Sequence, residues 1–190
     1  MKITFKKIEI HNFLSFKDEY FDLAKRRVMT LICGKNNDIP GSKNGCGKSS
    51  LFYALLYALF NQLQYPIKNG NLKNKYTKDD PTMTVLVEFS IDGNSTYKIV
   101  RGFNKSKQSY CTLYHKTKSM QDFEDITKSS IAETQKFIES EILRCDISIF
   151  LRTILLSSDQ NYNFFRLKPA AQRDFIEKLF NISILSLNED

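Results

Sequence analysis

Polar and apolar residues alternate along residues 3–10 (ITFKKIEI), the period of a strand with one buried face, and residues 18–23 (DEYFDL) suit a neighbouring strand. Residues 28–33 (VMTLIC) form a short, nearly all-apolar run, the pattern of a strand covered on both faces. From Lys48 the period becomes helical. Leu51, Ala54, Leu55, Ala58 and Leu59 fall at i, i+3, i+4, i+7 and i+8, and Phe52, Leu56 and Phe60 widen the stripe until most sides are apolar. A polar Asn/Lys stretch, 61–81, precedes a return to period two, in which Val85, Val87, Phe89 and Ile91 share one face. Asp92-Gly93 signals a hairpin turn there, and residues 109–115 (SYCTLYH) suit a further strand. Two more helices are expected. One covers 130–144, with Ile131, Ile138 and Ile142 along one side; the other covers 170–180, behind Lys168-Pro169, with Phe175, Ile176, Leu179 and Phe180 as a compact apolar patch. The chain shows no internal repeat and no low-complexity tract.

A strand, a glycine loop and a buried helix, in that order, make a mononucleotide-binding α/β unit. Composition permits it. At 190 residues, 42% hydrophobic and 13% aromatic, the chain suffices for one packed domain with at most a small appendage, and global disorder is excluded. No stretch approaches the ~18 uninterrupted apolar residues of a membrane span. The N-terminal residues read as a strand and not as a secretory signal, so a cytosolic setting is expected. Cys33, Cys46, Cys111 and Cys145 form no CxxC pair, and only His11 and His115 could join them as ligands, so four reduced, unligated thiols are expected.

The formal charge of +7 is unevenly spread. Between Gly93 and Gln121 there is no acidic residue, but there are Lys98, Arg101, Lys105, Lys107, Lys116 and Lys118; a second basic run is Lys68, Lys73, Lys75 and Lys78. Charge speaks of partners and not of fold. A polyanion is favoured, with a solvated lysine face as the competing reading of any single residue.

The stretch Asn44-Gly45-Cys46-Gly47-Lys48-Ser49-Ser50 carries phosphate-loop chemistry. Glycines let consecutive backbone N–H groups turn inward, the following helix adds its positive end, a lysine reaches the outer phosphates, and a hydroxyl coordinates Mg²⁺. Gly45 and Gly47 supply the turn, Lys48 the charge and Ser49 the metal hydroxyl. The strict spacing places Ser42 at the first position, where glycine is expected; Gly41 is one residue off and Gly34 eight. Gly34 therefore ends the strand, and residues within Lys35–Lys43 bulge out before the loop resumes, with Asp38-Ile39-Pro40-Gly41 as turn chemistry. Gly34 and Lys43 are weaker candidates for the same site. The bulge is either a tolerated surface loop or a lid over the nucleotide.

Three stretches together resemble the ABC-type ATPase heads of the SMC superfamily, and more narrowly the ATPase subunit of the double-strand-break repair nuclease in its bacterial and phage forms. They are Asn12-Phe13-Leu14-Ser15 at the end of the first strand, the phosphate loop with its apolar helix, and residues 150–180 (FLRTILLSSDQNYNFFRLKPAAQRDFIEKLF). The family often has arginine where this chain has Leu14. The resemblance implies an α/β P-loop NTPase fold: an ABC-type half-head with a mixed sheet around the P-loop helix, a small antiparallel sheet and a C-terminal helical segment. Residues 1–180 would be the N-terminal half of the head, and 181–190 the start of a coiled coil. It implies ATP and Mg²⁺ as cofactors, with Asn12, Phe13 and Ser15 near the nucleotide and Gln160 as the Q-loop amide that positions Mg²⁺ and water. Alignment on the following Lys-Pro places Ser158 there instead.

The family's Asp-Glu strand and Leu-Ser-Gly-Gly-Gln loop do not occur in this sequence. By the resemblance they belong to a C-terminal half-head, so the chain by itself is expected to bind nucleotide without appreciable hydrolysis. The implied partners are that half-head, a second copy, a separate nuclease subunit and DNA, with no membrane. Lys73, Lys75, Lys105 and Lys107 are the candidate DNA contacts. Phe103, Tyr110 and Tyr114 would either stack on bases or join the core. Competing readings are a transporter ATPase, with Tyr20 or Phe21 against adenine, a phosphate-loop kinase using Arg152, Arg166 or Arg173, and an architectural DNA-binding domain with structural ATP.

Overall fold

The computed structural model describes residues 1–24, 30–35, 41–43, 45–67, 71–155 and 163–180. The chain divides into two compact units, Met1–Lys136 and Phe137–Asp190.

The first unit is built on a six-stranded antiparallel sheet. Its strands are β1 (Ile3–Phe13), β2 (Phe16–Asp22), β3 (Met83–Ile91), β4 (Ser95–Phe103), β5 (Ser109–Thr117) and β6 (Glu124–Asp125), in the order β2-β1-β3-β4-β5-β6. Alternation decides which side is buried. Ile8, Ile10, Val85, Val87, Phe89, Ile99, Cys111 and Leu113 are each 4% exposed or less and share one face. Helix α1 (Lys48–Phe60) packs on that face, against β1, β3 and β4. The expected α/β class is this helix-on-sheet layering; where a mixed sheet and a separate small antiparallel sheet are expected, the described strands form one sheet in which every pairing is antiparallel. From Leu56 to Phe60 every residue of α1 is buried, as the widened stripe requires. The β3–β4 hairpin turns at Asp92 (φ 49°) and Gly93 (φ 68°), with the Asn94 amide donating to the Ile91 carbonyl at 3.1 Å. That is the mirror-image turn an Asp-Gly pair favours.

Two expectations change. Residues 30–33, the described part of the all-apolar run, carry no strand, and Leu31 is 85% exposed. A strand needs a hydrogen-bonding neighbour, and the described strands place none beside this segment. Arg101, part of the basic run read as favouring a polyanion, is 1% exposed. Its Nε donates to the Ala58 carbonyl at 3.3 Å and its Nη2 to Gln135 Oε1, while Gln135 Nε2 donates to the Leu59 carbonyl at 3.0 Å. Helix α1 has no basic residue of its own in its last turn, so Arg101 and Gln135 satisfy its terminal carbonyls.

The second helix, α2 (Ile131–Phe137), begins at Ser130, whose Oγ accepts from the Glu133 amide at 3.1 Å. Where the pattern predicts one helix to 144, the backbone widens into a π-helical turn, Ile138–Leu143, that stops at Arg144 (φ 54°). In the second unit α3 (Ile147–Thr153) is capped by Asp146, whose carboxylate accepts from the Ile149 amide at 2.8 Å. A 3-10 turn, Phe164–Arg166, and α4 (Pro169–Phe180) follow. The apolar patch expected on α4 splits: Phe175 is buried against Phe164, at 5.6 Å between ring centroids, while Phe180 is 66% exposed. No helix of the described residues is long and apolar enough to cross a membrane.

Candidate phosphate-binding site

Gly45 and Gly47 both adopt positive φ, 76° and 75°, immediately before α1. Gly47 is the N-cap of that helix, and the first turn contains no acidic residue. The amides of that end therefore project a positive field with no carboxylate in that turn to cancel it. Lys48 sits at the first helical position, with Nζ bonded to the Lys43 carbonyl, and Ser49 follows it on the exposed side.

Two segments distant in sequence close on this loop. A Cβ added at Gly47 would lie 2.3 Å from Ser15 Oγ, and Ser15 Oγ donates to Ser50 Oγ at 2.7 Å. A Cβ added at Gly34 would lie 2.5 Å from Cys46 Cβ and 3.4 Å from Lys48 Nζ. Gly34 is thus at the loop in space although the numbering separates them. Residues 36–40 of the bulge expected within Lys35–Lys43 and Asn44 lie outside the described residues, as do Gln160, Ser158 and the coiled-coil start expected at 181–190.

Asn12 and Phe13 reach the loop through the chain and not through their side chains. Phe13 is 0% exposed and stacks on Tyr57 of α1 at 5.5 Å. Asn12 is 1% exposed, and its Nδ2 donates to Asp80 Oδ2 at 2.9 Å and to the Thr82 carbonyl at 3.1 Å. His11, Asp18, Asp80 and Thr82 form a polar cluster around it that the sequence reading did not single out. The only local signal was Asp80-Pro81-Thr82, where the Asp80 carboxylate accepts from the Thr82 amide at 2.9 Å and its hydroxyl at 2.6 Å. Those two bonds hold the Asp80 carboxyl well below the usual carboxylate range. Beside the cluster the outer sheet face carries a cleft of about 490 Å³, lined by Glu9, His11, Asp18, Tyr20, Thr84 and Leu86 among others.

The basic candidates differ in setting. Lys75, Lys105 and Lys107 are exposed, while Lys73 is half-buried with Nζ bonded to the Thr77 carbonyl at 2.5 Å. Lys98 lies over the Tyr114 and Phe123 rings at 4.5 and 4.4 Å, and the Tyr110 hydroxyl bonds Thr84 Oγ1 at 2.6 Å. Among the described residues no group of three His, Cys, Asp or Glu side chains is arranged to hold a metal ion.

Glycines without room for a side chain, an acid-free helix start, an ammonium and an exposed hydroxyl form a donor set suited to a phosphate chain with its divalent cation.

A family model described as "AAA domain" matches residues 7–188. The chain is 28% identical over 182 residues to the DNA double-strand break repair Rad50 ATPase of Methanocaldococcus jannaschii, covering 96% of this chain and 16% of that protein. It is 26% identical over 145 residues to the SbcC component of the nuclease SbcCD of Bacillus subtilis, covering 73% of this chain and 12% of that protein. Among solved structures, the recombination mediator protein RecF with ATP aligns at a TM-score of 0.39 and 16% identity, covering 63% of this chain and 28% of that one. The chain spans between about an eighth and a sixth of the length of these curated relatives.

Proposed function

Because the chain belongs to the AAA-domain family, as an N-terminal head of the SMC-like ABC ATPases of the Rad50/SbcC type, we propose that it is the ATP-binding lobe of an ATPase that acts in DNA double-strand-break repair. The observation that carries this is the convergence of Gly34, Ser15 and Gly47 on one acid-free helix start. In this reading Asn44 to Ser50 wrap the phosphates, with Lys43 and Gly34 at the margin. Lys48 would give up the Lys43 carbonyl to bind the outer phosphates, and Ser49 with Gln160 would hold Mg²⁺. When bound, the metal supplies the charge that neutralises the phosphate oxygens. Ser15 packs against Gly47 and Ser50 and keeps the loop in register.

Within the 190 residues no apolar run ends in Asp-Glu, and no Leu-Ser-Gly-Gly-Gln loop occurs. The chain by itself then binds without appreciable turnover. The base for water and the signature loop come from a C-terminal half-head of the same protein. Residues 1–180 are the N-terminal part of the head. Two heads close on two nucleotides, a nuclease subunit is gated by that closure, and Lys73, Lys75, Lys105 and Lys107 face DNA phosphates. The setting is the cytoplasm.

Lys48→Ala tests the reading. The 190-residue chain is expected to bind a fluorescent ATP analogue with Mg²⁺, and the variant to bind it about tenfold or more weakly, since a charge-assisted contact is lost. Equal binding by the two proteins would overturn it.

A further inference from the structure

The turn that carries Ser15 is held from its far side. Asn12 and Leu14 have φ of 51° and 48°, a left-handed region that non-glycine residues keep only where something holds them. The main chain supplies part of the hold: the Leu14 amide donates to the Leu72 carbonyl at 2.7 Å, and the Asn74 amide to the Asn12 carbonyl at 2.8 Å. The buried Asn12 amide nitrogen supplies the rest by bonding Asp80 and the Thr82 carbonyl. Asp80 is bonded in turn by Thr82 and by His11 Nε2, the latter at 2.8 Å.

We propose that Asp80 is a positioning residue for the nucleotide loop: with His11 protonated it fixes Asn12 and hence the Leu14-Ser15 turn, and loss of that proton weakens nucleotide binding. This rests on the reading of the loop as an ATP site, and adds to it a residue outside the loop and a dependence on pH.

The chemistry follows from what His11 faces. Its Nδ1 lies 2.5 Å from Asp18 Oδ1 on β2, and its Nε2 faces Asp80, so an imidazolium donates to a carboxylate on each side. The same Nε2 is 3.0 Å from Asn12 Nδ2 and 3.2 Å from Thr82 Oγ1. Without its Nε2 proton the ring turns a lone pair toward the Asp80 carboxylate and accepts from Asn12 instead, drawing that amide off Asp80. Glu9 from β1 and Glu19 and Tyr20 from β2 line the same cleft, and β3 brings Thr84 and Leu86, which carry no charge. Burial pulls the His11 pKa down, but hydrogen bonds to Asp18 and Asp80, with their charges, outweigh it and raise it above the ordinary 6.5. A raised folded-state pKa makes the contribution whole below about 6.5 and lost as pH rises through the folded value.

The experiment uses the full chain and two readouts. Affinity for a fluorescent ATP analogue with Mg²⁺ is measured from acid to alkaline pH, and amide exchange at Leu14 and Asn74 is measured without nucleotide. Asp80→Asn is expected to bind about three- to tenfold more weakly at the acid end. It should also lose the wild-type decline at higher pH and exchange the Leu14 and Asn74 amides faster. His11→Gln should flatten the pH profile in the same way. Thr82→Val, which removes only the hydroxyl bond to Asp80 and keeps its charge and the Thr82 amide bond, should fall between wild type and Asp80→Asn. Wild-type affinity and pH profile in Asp80→Asn overturn the proposal. If wild type and Lys48→Ala bind nucleotide equally, the loop reading fails separately, and unchanged exchange at Leu14 and Asn74 in Asp80→Asn overturns the clamp on its own.

Discussion

Arg101 contributes one unit to the chain's net charge, yet its guanidinium is held inside, bonded to the Ala58 carbonyl and to Gln135 at the end of α1. Burial pushes the neighbouring Tyr57 hydroxyl up to about 12, with Arg101 pulling the other way. Removing the guanidinium would strand acceptors that water cannot reach. Arg101→Met is therefore expected to lower unfolding stability by about 2–3 kcal/mol in urea titration, and a loss under half that size would show the helix end to be satisfied without it. The residue types that make a phosphate loop were legible because local geometry alone demands glycine, lysine and serine in that spacing. The partner of each was not: that Gly47 must lack a Cβ because Ser15 lies there, or that Asn12 is spent on Asp80, depends on residues tens of positions away.

Elements with strong local signals formed where their patterns placed them. The alternation of β1 and β3, the Asp92-Gly93 turn, the stripe of α1 and the proline at the start of α4 each act within a few residues. Helix α3 escaped the sequence reading although Asp146 before an apolar run is an N-terminal signal. Its Ile149, Phe150 and Leu151 are buried, and the Asp146 carboxylate satisfies the Ile149 amide at 2.8 Å. Asp146→Ala is expected to cost about 1 kcal/mol in the same urea experiment, and Asp146→Asn only a few tenths; equal losses would mean that capping is not what Asp146 does. The described part of the all-apolar run, residues 30–33, departs in the opposite sense. Its residues suit a strand, but a strand is a relation between two segments, and Leu31 has no cover in the described chain.

At the scale of the whole molecule part of the charge of +7 is carried outward at loops and hairpin tips, where Lys75, Lys105 and Lys107 are exposed. Lys105→Glu with Lys107→Glu changes two charges by two units each, from +7 to +3. If both lysines meet DNA phosphates, the slope of log affinity against log salt should become shallower by about 2, read by fluorescence anisotropy on duplex DNA. An unchanged slope would return these lysines to a solvated surface. The family match extends over residues 7–188, across both compact units, although strand, helix and loop signals came from only parts of that span.

What the sequence by itself determined was short-range: the periods of strands and helices, the turn residues, and the phosphate-loop spacing with its displaced glycine. Each is set by backbone sterics and hydrogen bonding within a turn or two. Only the tertiary structure decided that Gly34 rejoins the loop, that Ser15 abuts Gly47, that Arg101 points inward and that Asp80 grips Asn12. Those contacts join segments far apart along the chain, and a contact between distant segments exists only after the sheet has set their register and the helix has packed against it.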